Sequence, residues 1–120
     1  MANYVEGFLL PISRKKVDAY RRMSRRAGKI WREYGALEYR ECVGDDTPAK
    51  GPASFPRRVG ARRGEVVVFS WIVYKSKADR KRISAQVMKD PRLADLTVPG
   101  AMPFDLRRVS WGAFRVFVEE

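Results

Sequence analysis

The chain has 120 residues, 45% of them hydrophobic, with one cysteine, no histidine and a formal net charge of +11. That size and composition describe one globular domain, residues 1–120, rather than a disordered segment. With no histidine, a Ser-His-Asp triad, a Cys-His pair and His-ligated zinc or haem are excluded. The single Cys42 excludes an internal disulfide and sulfur-rich metal sites, and it fits a reducing cytoplasm.

No apolar run approaches 20 residues, and the N-terminus lacks the basic-apolar-small order of a secretion signal. The expectation is a cytoplasmic protein without a membrane segment. The 25 Lys and Arg residues are open to two readings: a solvated surface, or a polyanionic partner such as RNA.

The first strand reads from Tyr4 to Ile12, apolar on both faces, with Pro11 near its end. Ser13 is placed to cap a helix running to about Tyr34. Val17, Tyr20, Met23, Ala27, Ile30, Trp31 and Tyr34 recur every three or four residues along it. Gly35 is the expected C-terminal stop. Gly28 lies inside the helix at a cost of about 1 kcal/mol against alanine, which points to a close approach by a neighbouring strand.

A second strand reads from Ala36 to Val43. Leu37, Tyr39, Glu41 and Val43 fall on one face; Ala36, Glu38, Arg40 and Cys42 fall on the other. Residues 44–63 form a long connection rich in Gly, Pro and Arg. Within it, Ser54-Phe55-Pro56 reads as an anchor onto apolar surface.

Glu65 to Tyr74 is the central strand, polar only at Glu65 and Ser70, so both of its faces are expected to be covered. Ser76 caps the helix that follows, to about Lys89, with Asp79 at the reciprocal position. Asp90-Pro91 ends that helix and can open a short one. A loop over 98–105 leads to a last strand from Arg107 to Val118.

The order strand-helix-strand-strand-helix-strand predicts an α+β fold, a ferredoxin-like βαββαβ arrangement with a four-stranded antiparallel sheet and both helices on one face. The other face keeps apolar residues on its strands. A patch of that size calls for a second copy packed sheet to sheet, an isologous homodimer with a barrel-like core.

Specific stretches resemble a known family. Gly35-Ala36-Leu37-Glu38-Tyr39, Glu41-Cys42-Val43-Gly44-Asp45-Asp46, Ser54-Phe55-Pro56, Val68 to Tyr74, Val87 to Arg92, Met102-Pro103-Phe104-Asp105 and Gly112-Ala113-Phe114 together resemble the YbaA-like group, a domain of unknown function (family 1428). The resemblance implies a dimeric α/β-barrel, akin in shape to small cofactor-free monooxygenases and stress-responsive barrel proteins. It implies no established reaction.

By that analogy a pocket between helices and sheet would take a small apolar or aromatic ligand without a cofactor or metal. Any chemistry would be of the cofactor-free oxygenase or isomerase kind. Trp31, Trp71, Tyr74, Met102 and Phe104 are the candidate lining; packing in the core or the dimer interface is the competing reading, and the preferred one. Asn3 is the one asparagine, so the oxygenase pattern is not met residue by residue.

Acid-base candidates are Glu38, Glu41, Asp45 and Asp46. Glu38 is a candidate for a buried carboxyl beside Cys42, with a raised pKa. A salt bridge to Arg40 or Arg115, or a pair across the dimer, is the simpler reading. Cys42 is a candidate nucleophile whose pKa Arg or Lys neighbours could lower, but with no histidine to activate it a buried inert thiol is the preferred reading. Asp105 either closes the pocket or makes a turn.

Two further readings stay open: a noncatalytic module whose basic helices touch phosphates with strong salt sensitivity, and a purely structural or stress-associated dimer.

Overall fold

The structure is a computed structural model that describes residues 3–48, 51–97 and 102–120, and the side chains of 95–97 are left out of the description. Four strands, β1 (Tyr4–Ser13), β2 (Glu38–Val43), β3 (Glu65–Tyr74) and β4 (Ser110–Arg115), form one sheet in the order β2-β3-β1-β4. All three neighbouring pairs are antiparallel. The long helices α1 (Val17–Glu33) and α3 (Lys77–Met88) lie on one face of it, and a one-turn helix, α2 (Phe55–Arg58), interrupts the long connection. This is the ferredoxin-like arrangement expected from the sequence.

Strand alternation sorts the side chains into two layers. Phe8, Leu10 and Ile12 of β1 and Val68, Ile72 and Tyr74 of β3 face the helices. They meet Ala27, Ile30 and Trp31 of α1 and Ile83 and Val87 of α3. Tyr74, Ile12, Ile30, Ile83 and Val87 are the largest fully buried side chains. Each aliphatic burial of this kind contributes about 1.5–3 kcal/mol.

The helix ends follow local chemistry. The Ser76 hydroxyl accepts from the Asp79 amide at 3.1 Å. Gly35, at φ +117°, turns the chain after α1, in a region closed to most side chains. A polar clasp then joins the helix ends. Asp90 accepts from the Tyr34 hydroxyl at 2.8 Å and from Arg92, and Arg92 also pairs with Glu33. Pro91–Thr97 forms a short 3-10 helix, as the Asp90-Pro91 pair suggested.

Three boundaries differ from the sequence reading. α1 begins at Val17, after a 3-10 turn at Arg14–Lys16 whose Lys15 amide is capped by Ser13. β2 begins at Glu38, because Ala36 is still held by a bond from its amide to the Trp31 carbonyl. β4 covers only Ser110–Arg115: Asp105 caps a 3-10 turn over Leu106–Arg108 and delays the strand. Of the loop read over 98–105, residues 98–101 lie outside the described residues.

The uncovered face also departs from expectation. It is apolar on β1, β3 and β4, with Val5, Leu9, Phe69, Trp71, Val73 and Phe114, but β2 contributes Glu38, Arg40 and Cys42. Part of it is roofed by α2, whose Phe55 packs against Phe69 with ring centroids 6.5 Å apart. The anchor read in Ser54-Phe55-Pro56 is therefore present. Its Ser54 hydroxyl accepts from the Arg57 amide.

Gly28 sits where α1 presses on β2: a Cβ there would lie 2.6 Å from Cδ1 and 2.8 Å from Cε1 of Tyr39. Replacing Gly28 by Ala gains about 1 kcal/mol of helix propensity, yet it drives a methyl into the Tyr39 ring, which is tethered by its hydroxyl to Glu41. The expected net result in urea denaturation is destabilisation by about 1–3 kcal/mol, the usual range for overpacking.

Glu65 supplies a pH signature. Hydrogen bonds from Arg108, at 2.7 and 2.9 Å, lower its pKa from 4.5 to about 2. The folded value is depressed, so this stabilisation is complete above the unfolded value of 4.5 and is lost as pH falls towards 2. Acid titration of stability should show a fall in that window, and Glu65→Gln should flatten it.

Candidate functional site

β2 is an edge strand, and its helix-side residues Tyr39 and Glu41 stand beneath α1. Glu41 accepts from the Tyr39 hydroxyl through Oε2 and from the Tyr20 hydroxyl through Oε1, both at 2.8 Å. One carboxylate thus gathers two phenols, one from its own strand and one from the helix above. Ser24, one turn along α1 from Tyr20, is 3% exposed, and its hydroxyl has no hydrogen-bond partner.

Burial raises the pKa of both phenols well beyond the ordinary tyrosine value, and the Glu41 charge raises them further. Both therefore stay neutral hydrogen-bond donors above the pH at which an ordinary tyrosine ionises.

This cluster separates two spaces. On the inner side is a cavity of about 290 Å³ between helices and sheet. Its walls include Phe8, Leu10, Met23, Ala27, Trp31, Ile72, Val87, Met102 and Phe104, with Tyr20, Tyr39, Glu41 and Ser70 as its polar side. The volume is near the lower end for small-molecule sites. On the outer side an open groove of about 1050 Å³ runs between α1 and β2. Arg21, Arg25, Lys29 and Arg32 line it from the helix, and Leu37, Tyr39, Glu41 and Val43 from the strand. Tyr20, Tyr39, Arg40 and Glu41 belong to both walls.

The structure brings some of the candidate residues together and sends others elsewhere. Trp31, Met102 and Phe104 line the cavity, and Phe104 meets Tyr20 edge to face at 5.5 Å. Trp71 borders the cavity along its strand, but alternation puts its ring on the opposite face. There it packs on Phe69, and its indole N–H donates to Glu38. Tyr74 is 0% exposed and stands outside the lining, edge-on to Trp31. Its hydroxyl donates to Glu6, which also pairs with Arg80 at 2.6 Å. Arg80 in turn lies over the Trp111 ring at 5.7 Å. This second polar cluster ties α3 to β1.

The acidic candidates divide similarly. Glu38 lies on the uncovered face, where its Oε1 accepts from the Trp71 indole at 2.8 Å and Arg40 Nε at 2.7 Å. Those two donors lower its pKa. The raised value imagined for a buried Glu38 is thereby overturned, and the pairing with Arg40 is what the structure contains. Cys42 is exposed, not buried, because the face it occupies at the sheet edge has no cover within the chain. Asp105 makes the turn: it accepts from the Arg107 amide and guanidinium, which holds its pKa down.

Glu41 was legible as an ionisable residue sharing a face with Tyr39. Its convergence with Tyr20 was not. The signal was Gly28, the mark of a helix lying close on the strand. Among the described residues no group of three or more His, Cys, Asp or Glu could hold a metal ion, and no helix is long and apolar enough to cross a membrane.

Comparison with known proteins places this geometry in a family. Residues 3–106 match the family described as "Protein of unknown function (DUF1428)". The chain is 38% identical over 117 residues to the uncharacterized protein YbaA of Escherichia coli K12, covering 98% of each, and equally similar to the YbaA protein of Shigella flexneri. Among solved structures it resembles a dimeric ferredoxin-like protein from an uncultured marine organism, with a TM-score of 0.63 at 11% identity over all of both chains. At that identity the likeness speaks to the fold alone.

The tyrosine environment is directly measurable. In a spectrophotometric titration at 295 nm, Tyr20 and Tyr39 should ionise at higher pH than ordinary tyrosines. Glu41→Gln removes the charge that opposes phenolate formation, so it should shift their ionisation towards lower pH. An unchanged titration would separate Glu41 from the two rings.

Proposed function

The chain belongs to the DUF1428 family, and from that premise we propose that it is a homodimer whose helix–sheet cavity binds a small, mainly apolar or aromatic molecule bearing one hydroxyl or N–H group. The observation carrying this reading is an apolar cavity whose polar side is a carboxylate held in place by two phenols. The tyrosines occupy two of the roughly four acceptor positions of the Glu41 carboxylate. A ligand donor would take a third.

The walls suit flat, apolar bodies. Trp31 and Phe104 offer ring surfaces, and Met23 and Met102 adapt to irregular shapes. Ser24 adds a buried hydroxyl with unspent hydrogen-bonding capacity beside the phenols. Binding is the function this arrangement supports.

The dimer rests on the uncovered face. Phe69 and Phe114 are 44% and 62% exposed there, beside Trp71, Val5 and Leu9. A soluble monomer rarely keeps such a patch. The marine protein of similar fold is described as dimeric.

1-Naphthol and naphthalene are suitable probes, one with a hydroxyl and one without. Quenching of tryptophan fluorescence in a Trp71→Phe, Trp111→Phe background, which leaves Trp31 alone, should show saturable binding of both, tighter for 1-naphthol. Glu41→Gln should weaken 1-naphthol about tenfold, the order of one hydrogen bond to a charged group, and leave naphthalene unchanged. Absence of saturable binding by either would end the ligand reading. Light scattering at micromolar concentration should give twice the chain mass; a monomer would end the dimer reading.

A further inference from the structure

β2 is an edge strand, and its outer backbone groups are unspent. The Gly44 amide donates to the Val67 carbonyl at 2.8 Å, in register with the pairs Cys42–Phe69 and Arg40–Trp71. In an antiparallel ladder such bonded pairs alternate with residues turned the other way. Tyr39, Glu41 and Val43 therefore direct their amides and carbonyls away from β3. Among the described residues nothing bonds to those groups.

The groove between α1 and β2 runs along this edge. Its lining takes Tyr39 and Glu41 from one face of the strand and Arg40 and Cys42 from the other, so it reaches the edge itself. α1 lies over it, antiparallel to the strand. Tyr20 bonds to Glu41, Gly28 rests on Tyr39, and Arg32 Nη1 donates to the Ala36 carbonyl at 3.1 Å. The helix side is cationic. Arg21, Arg25 and Lys29 recur every fourth residue, about 6 Å apart along the axis. Arg21 is paired with Asp18, while Arg25 and Lys29 have no ion-pair partner among the described residues. The carboxylates nearby are already engaged: Glu38 by Arg40, Glu33 by Arg92 and Glu41 by the two phenols.

These features suit one kind of occupant. Outward amides and carbonyls in alternation are matched by another extended peptide backbone. Next-but-one residues of such a strand lie about 6.8 Å apart on one side, close to the spacing of the cations. Leu37 and Val43, 47% and 49% exposed at opposite ends of the edge, add apolar contacts on that side. A single-stranded nucleic acid would meet the cations but leave the backbone groups unpaired.

We propose that β2 accepts an extended acidic segment of a partner protein as an additional strand. Carboxylates at alternate positions of the segment lie beneath Arg25 and Lys29, and an apolar residue near each end meets Leu37 or Val43. The contact requires neither a ligand in the cavity nor a partner on the uncovered face.

The probe is an end-blocked, fluorescein-labelled peptide, Leu-Thr-Glu-Thr-Glu-Thr-Leu, whose anisotropy should show saturable binding to the full chain. The Tyr39, Glu41 and Val43 amides should exchange quickly with deuterium in the free protein. At a peptide concentration about ten times the dissociation constant they should exchange about tenfold more slowly, as mass action requires. N-methylation of one alternate set of peptide amides should abolish binding and of the other set leave it intact, since only one set faces β2. Equal effects of the two sets overturn the added strand.

Arg25→Glu with Lys29→Glu should weaken the peptide about tenfold, the order expected for two exposed ion pairs. An unchanged affinity overturns the acidic partner. Absence of peptide binding, with the three amides already protected in the free protein, overturns the proposal in favour of a second copy on this edge. Displacement of bound peptide by an equal concentration of oligouridine overturns it in favour of nucleic acid.

Discussion

The close approach of α1 to β2 at Gly28 is the constraint from which the rest follows. Without a side chain at that position the helix backbone settles onto the Tyr39 ring. The ring lies beneath the helix, and its hydroxyl donates to the Glu41 carboxylate two residues along the same face. Tyr20, two turns before Gly28 on the buried side of the same helix, arrives at the other carboxylate oxygen. A destabilising residue inside a helix is thus tolerated because it positions a polar cluster, and the cluster gives an otherwise apolar cavity a polar side.

The two faces of the sheet solve different problems. The helix face is a closed core with a pocket in it. The opposite face combines apolar strands with the polar trio of Glu38, Arg40 and Trp71 N–H, already satisfied among themselves. A face that is aromatic in the middle and hydrogen-bonded at its rim has the makeup of an interface core and its border. α2 covers the remaining corner through Phe55, which explains why a long Gly- and Pro-rich connection stays on the sheet.

Much of this was readable beforehand, for physical reasons. β3 announced its central place by lacking alternation. α1 declared its buried stripe by period, and Ser76 and Gly35 marked helix ends through capping chemistry and positive φ. What escaped was whatever depends on the third dimension. Trp71 and Trp31 are equally aromatic in a sequence, but strand parity sends one ring to the uncovered face and helix phase sends the other to the cavity. Tyr74 looked like a lining residue, and Glu6, itself buried, claimed its hydroxyl. Cys42 looked like a core thiol because small apolar side chains usually are, yet an edge strand's outer face has no core to offer.

β2 holds both surfaces to one register. Tyr39 and Glu41 point to the cavity, while Glu38, Arg40 and Cys42 point to the uncovered face. A slip of one residue against β3 would exchange the two sets, carrying Glu41 to the outside and Arg40 beneath α1. What prevents the slip is that both sets are pinned at once: Tyr39 by Gly28 above, Glu38 by the Trp71 indole below. A partner packed on the uncovered face would therefore bear on the same strand that carries the carboxylate of the cavity. The two surfaces thus share one six-residue strand.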